Sequence, residues 1–249
     1  MSAIIAIGGG EMGRPGFPVE TTLIDKEIIA QTKKKNPKLL FIPTASNDSQ
    51  GYFEVVKKHF GGLGCKVSVL NLIKDKLTRK ETREKIFSSD IIYVGGGNTL
   101  KMMTVWRKLG VDKILKQSHK KGIVLSGISA GSICWFSYGN SDSRKFTSGS
   151  SKLIKVTGLG LITALHCPHY DAEKNRKADL KRMMKITHNI VAIALDNCTA
   201  LEVIGDKYRI IKSKAGAKAY KCYWKRGKYF EDEIKSKKEF EPLDKLLEK

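Results

Sequence analysis

Short apolar runs alternate with amphipathic helical patterns along most of this chain, and that alternation limits what it can fold into. Strands separated by helices pair as parallel neighbours through crossovers, and such a sheet must be covered on both faces. The expected strands are residues 3–7, 39–42, 67–72 and 91–94. Helices are expected at 21–34, 52–60 and 78–87, from the glycine turn after 94 through 109, and at 113–119. Leu23, Ile24, Ile28 and Ile29 fall on one helical face, as do Phe53, Val56 and Phe60. Beyond residue 136 a polar stretch, 137–151, reads as a loop, 159–165 as a strand and 172–187 as a lysine-rich helix. The C-terminal part then changes character. Runs 190–195, 200–204 and 208–212 read as strands, the last two joined by a hairpin turn at Gly205-Asp206. Residues 219–224 and Tyr229 continue this meander, and 231–249 form a charged tail or a docked helix. With 249 residues the chain can bury a sizeable core. The expectation is one α/β domain over 1–249, a mainly parallel doubly wound sheet with a β-rich C-terminal extension.

An open parallel sheet places its site beyond the carboxyl ends of its strands. There Gly127-Ile128-Ser129-Ala130-Gly131 follows the apolar run 123–125 and precedes a helix start at Ser132-Ile133-Cys134-Trp135-Phe136. Strand, tight turn with serine at its apex, then helix is the nucleophile-elbow pattern G-x-S-x-G. Small residues two positions either side let strand and helix approach closely. A second glycine cluster, Gly95-Gly96-Gly97, ends a neighbouring strand. Its backbone N–H groups, with that of Ala130, could stabilise the oxyanion of an acyl-transfer intermediate. The cluster Gly8-Gly9-Gly10 with Gly13 matches the dinucleotide fingerprint, but Arg14-Pro15-Gly16 interrupts the helix that should begin there, so no nucleotide cofactor is expected.

A serine nucleophile needs a base. His59 and His119 sit on lysine-bearing amphipathic helices and read as surface residues; His188 falls in a helix-to-strand turn. His166 and His169 end a strand in His166-Cys167-Pro168-His169-Tyr170-Asp171. Pro168 fixes the approach of His169, the favoured base, while His166 reads as structural. Asp171 reads as a helix N-cap.

Composition excludes several classes. The five cysteines, 65, 134, 167, 198 and 222, are odd in number and contain no C-x-x-C, against a disulfide framework or structural zinc. The net charge of +21 is mostly lysine spread along helices and the C-terminal tail, with arginine scarce, so specific nucleic-acid binding is not expected. The N-terminus lacks a basic n-region and cleavage site, and no apolar run approaches the ~20 residues that span a bilayer, so a cytoplasmic protein is expected.

The runs Val94-Gly95-Gly96-Gly97-Asn98-Thr99, Gly127-Ile128-Ser129-Ala130-Gly131 and Pro168-His169-Tyr170, in this order, resemble the peptidase E (aspartyl dipeptidase) and cyanophycinase-like serine peptidases. The resemblance spans roughly residues 1–215. It implies a fold like that of class I glutamine amidotransferases, a nucleophile at Ser129, a base at His169 and oxyanion donors near Gly97 and Ala130. It implies a cofactor-free hydrolase of small acidic peptides, with Arg176 as the match to an arginine that meets the substrate side chain. For the carboxylate that orients the histidine it offers Asp142, the first choice, and Asp196, which would replace a glutamate that many relatives carry near Asn197. The alternatives are a cyanophycinase-like, esterase or amidotransferase-like hydrolase on the same scaffold, and a catalytically silent protein whose lysine-rich surface recruits acidic partners. The C-terminal meander would shape substrate access or form a homodimer contact.

Overall fold

Two sheets share the strands of this chain. The structure, a computed structural model, describes residues 2–172, 175–187 and 189–249. The elements run β1 (Ala3–Ile7), α1 (Thr22–Ala30), β2 (Lys38–Ile42), α2 (Gln50–Gly62), β3 (Lys66–Val69), α3 (Arg79–Phe87), β4 (Ile91–Val94), α4 (Thr99–Leu109), α5 (Val111–Lys120) and β5 (Val124–Ile128). They continue as α6 (Ala130–Ile133), β6 (Phe136–Ser141), α7 (Lys145–Ser148), β7 (Ile154–Thr157), β8 (Ile162–Cys167), α8 (Arg176–Ile186) and β9 (Ala192–Leu195). The chain closes with β10 (Thr199–Ile204), β11 (Lys207–Lys212), β12 (Ala219–Lys225), β13 (Lys228–Ile234), β14 (Glu241–Pro242) and α9 (Leu243–Leu247).

The larger sheet has the order β14-β11-β10-β1-β5-β4-β2-β3. Strands β1, β5, β4, β2 and β3 are parallel, and β10 joins β1 antiparallel. Successive side chains of a strand point to opposite faces. Ile4, Ala6, Leu40, Ile42, Ile92 and Val94 accordingly pack in one core, and Ile5, Ile7, Leu39, Phe41, Ile91 and Tyr93 in another on the far side. Burial on both faces is why these strands read as unbroken apolar runs rather than alternating ones.

The α/β class expected from the alternation holds, with six of the strands after the elbow in a second sheet, β13-β12-β9-β8-β6-β7. The β-rich C-terminal segment is divided between the two sheets: β10 and β11 extend the first, β12 and β13 the second. The charged segment 231–249 is ordered, with β14 paired to β11 and Leu246 buried. The elbow helix is one turn, because Phe136 already starts β6. Polar residues hid that strand: Asn140 and Ser141 are buried and hydrogen-bonded, so the loop expected over 137–151 begins only after them. The helix expected over 172–187 spans Arg176–Ile186.

Candidate active site

Strand β5 lies between β1 and β4, and its last residue delivers the chain into the elbow. Ser129 has φ 57° and ψ −114°, a conformation that costs a non-glycine residue of order 1–3 kcal/mol and persists only where the surroundings enforce it. They do so by contact. A Cβ on Gly127 would stand 2.4 Å from the Gly131 carbonyl oxygen, and one on Gly131 only 2.0 Å from that of Val94. Glycine at both positions is what lets strand and turn close. The Ser129 N–H donates to the Ile7 carbonyl at 3.1 Å, tying the apex to the end of β1. Ala130 is the first residue of the following turn, so its N–H has no intrahelical acceptor.

His169 follows β8 through Pro168 and also has a positive φ, 52°. Its N–H donates to the Gly8 carbonyl at 3.1 Å. Its Nε2 lies 2.8 Å from Ser129 Oγ, and its Nδ1 lies 2.7 Å from Oδ1 of Asn197. An amide oxygen only accepts, so Nδ1 carries the ring proton and Nε2 is left as the acceptor of the serine O–H. That is the tautomer a general base requires.

The orienting position is therefore held by Asn197, and neither expected carboxylate occupies it. The Asp196 carboxylate turns away and accepts the Lys218 N–H at 3.0 Å; burial, with the neighbouring Asp171 charge, pushes its carboxyl above the ordinary range. No hydrogen bond or ion pair joins Asp142 to His169. Asp142 lies in the turn before α7, where its backbone carbonyl accepts from Lys145. Asp171 is not the expected helix cap, since α8 begins at Arg176; it accepts the Asn197 N–H at 2.9 Å. The strands around the loop 196–199 explain its placement. Gly8 donates to the Thr199 carbonyl and Cys198 to that of Gly9, so the first glycine cluster is stitched to the loop bearing Asn197. That cluster is the structural partner of the Ser129–His169 pair, a role its resemblance to a nucleotide fingerprint concealed.

Other expected site residues fall elsewhere. Of the second glycine cluster, Gly96 abuts Ser129, with its absent Cβ 3.4 Å from that of the serine, whereas Gly97 (φ 134°) packs against Ala45. Arg176 is 1% exposed and its Nη1 donates to the Asn140 carbonyl and side-chain oxygens at 3.0 and 3.1 Å. It bolts α8 to β6 and does not line the cavity at Ser129. His166 is structural as read: stacked on Phe136, with Nδ1 3.0 Å from the Ile193 carbonyl and Nε2 2.8 Å from Ser132 Oγ. Burial drives its pKa down to about 3. His59, read as a surface residue, instead pairs with the buried Asp25 at 2.7 Å. His119 is half-buried, 3.3 Å from Ser2 Oγ. His188 lies outside the described residues. All five cysteines are buried.

A cavity of about 940 Å³ opens over Ser129 and His169. Its walls come from the loop 10–15 and the first half of α2, neither of which the sequence marked as part of the site. Met12, Tyr52, Val55 and Ile128 give it apolar surface, and Arg14 and Lys58 supply cations. Arg14 is held by Glu11, Nε to Oε2 at 2.7 Å. Burial pushes the Glu11 carboxyl up, but the hydrogen bonds from Arg14 and Met12 outweigh it and hold the group below its ordinary value. No ion pair joins Lys58 to a carboxylate among the described residues. No helix of the described residues is long and apolar enough to cross a membrane.

The model of peptidase family S51 matches residues 4–211. Uncharacterized peptidase YgaJ of Bacillus subtilis (strain 168) is 37% identical over 224 residues, 89% of this chain and 92% of that protein. Peptidase E of Shewanella denitrificans is 25% identical over 202 residues, covering 76% and 81% of the two chains. The crystal structure of a peptidase from an acI-B1 Actinobacterium superposes with a TM-score of 0.71 at 18% identity, over 97% of each chain.

Proposed function

The chain belongs to peptidase family S51 and is a serine-type peptidase, and from that premise we propose that Ser129, His169 and Asn197 cleave short peptides through an acyl-enzyme. The observation that carries this reading is the 2.8 Å approach of His169 Nε2 to the hydroxyl of a serine held in a strained elbow. Ser129 Oγ attacks the scissile carbonyl as its proton passes to Nε2. The imidazolium then gives that proton to the leaving amine, and a water activated by the same nitrogen releases the acid. Asn197 holds the ring in the productive tautomer, as the asparagine of cysteine–histidine–asparagine peptidases does. Oxyanion stabilisation falls to the N–H groups of Ala130 and Gly97, since those of Gly95 and Gly96 are engaged by the Ile42 carbonyl and the Tyr52 hydroxyl.

The substrate we propose is a dipeptide-sized molecule with an acidic N-terminal residue. With Arg176 buried against Asn140, the cation to meet its carboxylate is Lys58, since Arg14 is already engaged by Glu11. Release of free amine from a panel of Asp-Xaa, Glu-Xaa and Leu-Xaa dipeptides tests both parts. The expected result is turnover of the acidic members by the wild type, none by Ser129→Ala, and a KM at least fivefold higher in Lys58→Ala. Preference for Leu-Xaa would overturn the acidic specificity alone, and full activity of Ser129→Ala would overturn the mechanism.

A further inference from the structure

Tyr52, on the first turn of α2, lines the same cavity as Ser129, His169 and Gly96. Its ring is fixed from two sides. It packs edge-to-face on Phe41 with ring centres 5.1 Å apart, and it fills the space beside Gly95, where a Cβ would stand 2.9 Å from Tyr52 Cε1. The hydroxyl oxygen accepts the N–H of Gly96 at 3.3 Å, and Gly96 in turn abuts Ser129. A phenol both accepts and donates. No acceptor among the described residues takes the Tyr52 proton. The Gly96 N–H is thus engaged by a side chain, and the donor that this arrangement leaves for the cavity is the tyrosine O–H.

We propose that Tyr52 is a further catalytic residue, whose O–H donates to the carbonyl oxygen of the scissile bond as negative charge develops there. The inference rests on Ser129 being the nucleophile. As Oγ bonds to the carbonyl carbon and the serine proton moves to His169 Nε2, the carbonyl π pair moves onto oxygen. Tyr52 keeps its own proton throughout, shared in a hydrogen bond that is strongest at the tetrahedral stage. When the C–N bond breaks, the pair returns to re-form the carbonyl and His169 protonates the amine. The Gly96 N–H pulls electron density from the phenol oxygen and so strengthens the O–H as a donor. Burial pushes the phenol up to about 12, so the proton is present across the neutral range.

Tyr52→Phe keeps the ring in its niche and removes one oxygen. Loss of one oxyanion donor predicts a fall in kcat of roughly 100-fold, with KM within threefold of wild type and the melting midpoint little changed. Affinity for a peptide boronate, which forms a tetrahedral adduct on a nucleophilic serine, should fall by a similar factor. A kcat within threefold of wild type overturns the proposal, as does a lowered kcat with unchanged boronate affinity, which would make Tyr52 only a support for Gly96. Should the variant fold poorly, 3-fluorotyrosine placed at position 52 alone supplies the second measurement. Its fluorine resonance should shift on boronate binding, and no shift overturns the proposal. Boronate that fails to bind the wild type but leaves peptide turnover dependent on Tyr52 would instead overturn the Ser129 reading, and the oxyanion role with it.

Discussion

Gly9→Ala perturbs the His169–Asn197 pair without substituting either residue. Gly9 is not among the glycines with positive φ, so its backbone accommodates alanine. The space does not. A Cβ there would lie 1.9 Å from Asn197 Oδ1, 2.4 Å from His169 Nδ1 and 2.6 Å from His169 Cε1. Ordinary contact begins near 3.4 Å, so the amide must retreat by about 1.5 Å, beyond the reach of its hydrogen bond to the ring. A displacement of ~1 Å at a reacting group costs on the order of 100-fold in rate, about 2.7 kcal/mol of barrier. The assay is the second-order rate constant for inactivation by a fluorophosphonate, read beside the thermal midpoint. A loss of roughly 100-fold or more in a cooperatively folding variant is expected, since both clashing groups are side chains. A Gly9→Ala rate within threefold of wild type would refute the assignment of Asn197 as the residue that orients His169.

Two further outcomes follow from the same geometry. Asn197→Asp places a negative charge on the ring proton and favours the imidazolium, so the acid limb of the kcat/KM profile should move to higher pH by roughly one unit or more; an unmoved limb contradicts the contact. His166 is held neutral in the fold with a pKa of about 3 against 6.5 in the unfolded chain. Its folded value is depressed, so as pH falls from about 6.5 toward 3 the unfolded chain takes a proton the fold refuses. Stability should therefore drop over that window by up to about 1.4 kcal/mol per unit beyond the slope of a His166→Gln variant, measured by urea unfolding; equal slopes would contradict it.

What was legible in the sequence was whatever local chemistry determines. The period of the apolar runs marks β1 to β5 because strands buried on both faces carry little else. Ser129 shows through the glycines its elbow demands, and His169 through the proline and strand end that present it to the elbow, although its strand β8 lies in the second sheet and not beside β5. The third partner was not legible, because residue type pointed to the carboxylates of Asp142 and Asp196 while position decides the contact. One residue along from Asp196, the chain turns Asn197 inward as the loop pairs with Gly8 and Gly9. Arg176 was misread for the converse reason: an arginine bonded to a buried asparagine looks in sequence like one awaiting a ligand. Strand β6 was missed because buried polar groups satisfied across the chain leave no periodic trace, and the Tyr52 hydroxyl because its contact with Gly96 lies across the fold and not along the helix.

The central claim is that Ser129 is a nucleophile activated by His169. Intact-protein and peptide mass spectrometry after fluorophosphonate treatment tests it most directly. The account predicts one adduct per chain, mapped to Ser129, absent from Ser129→Ala and slowed by orders of magnitude in His169→Ala. Labelling at another serine, or equal labelling of Ser129 when His169 is removed, would contradict it.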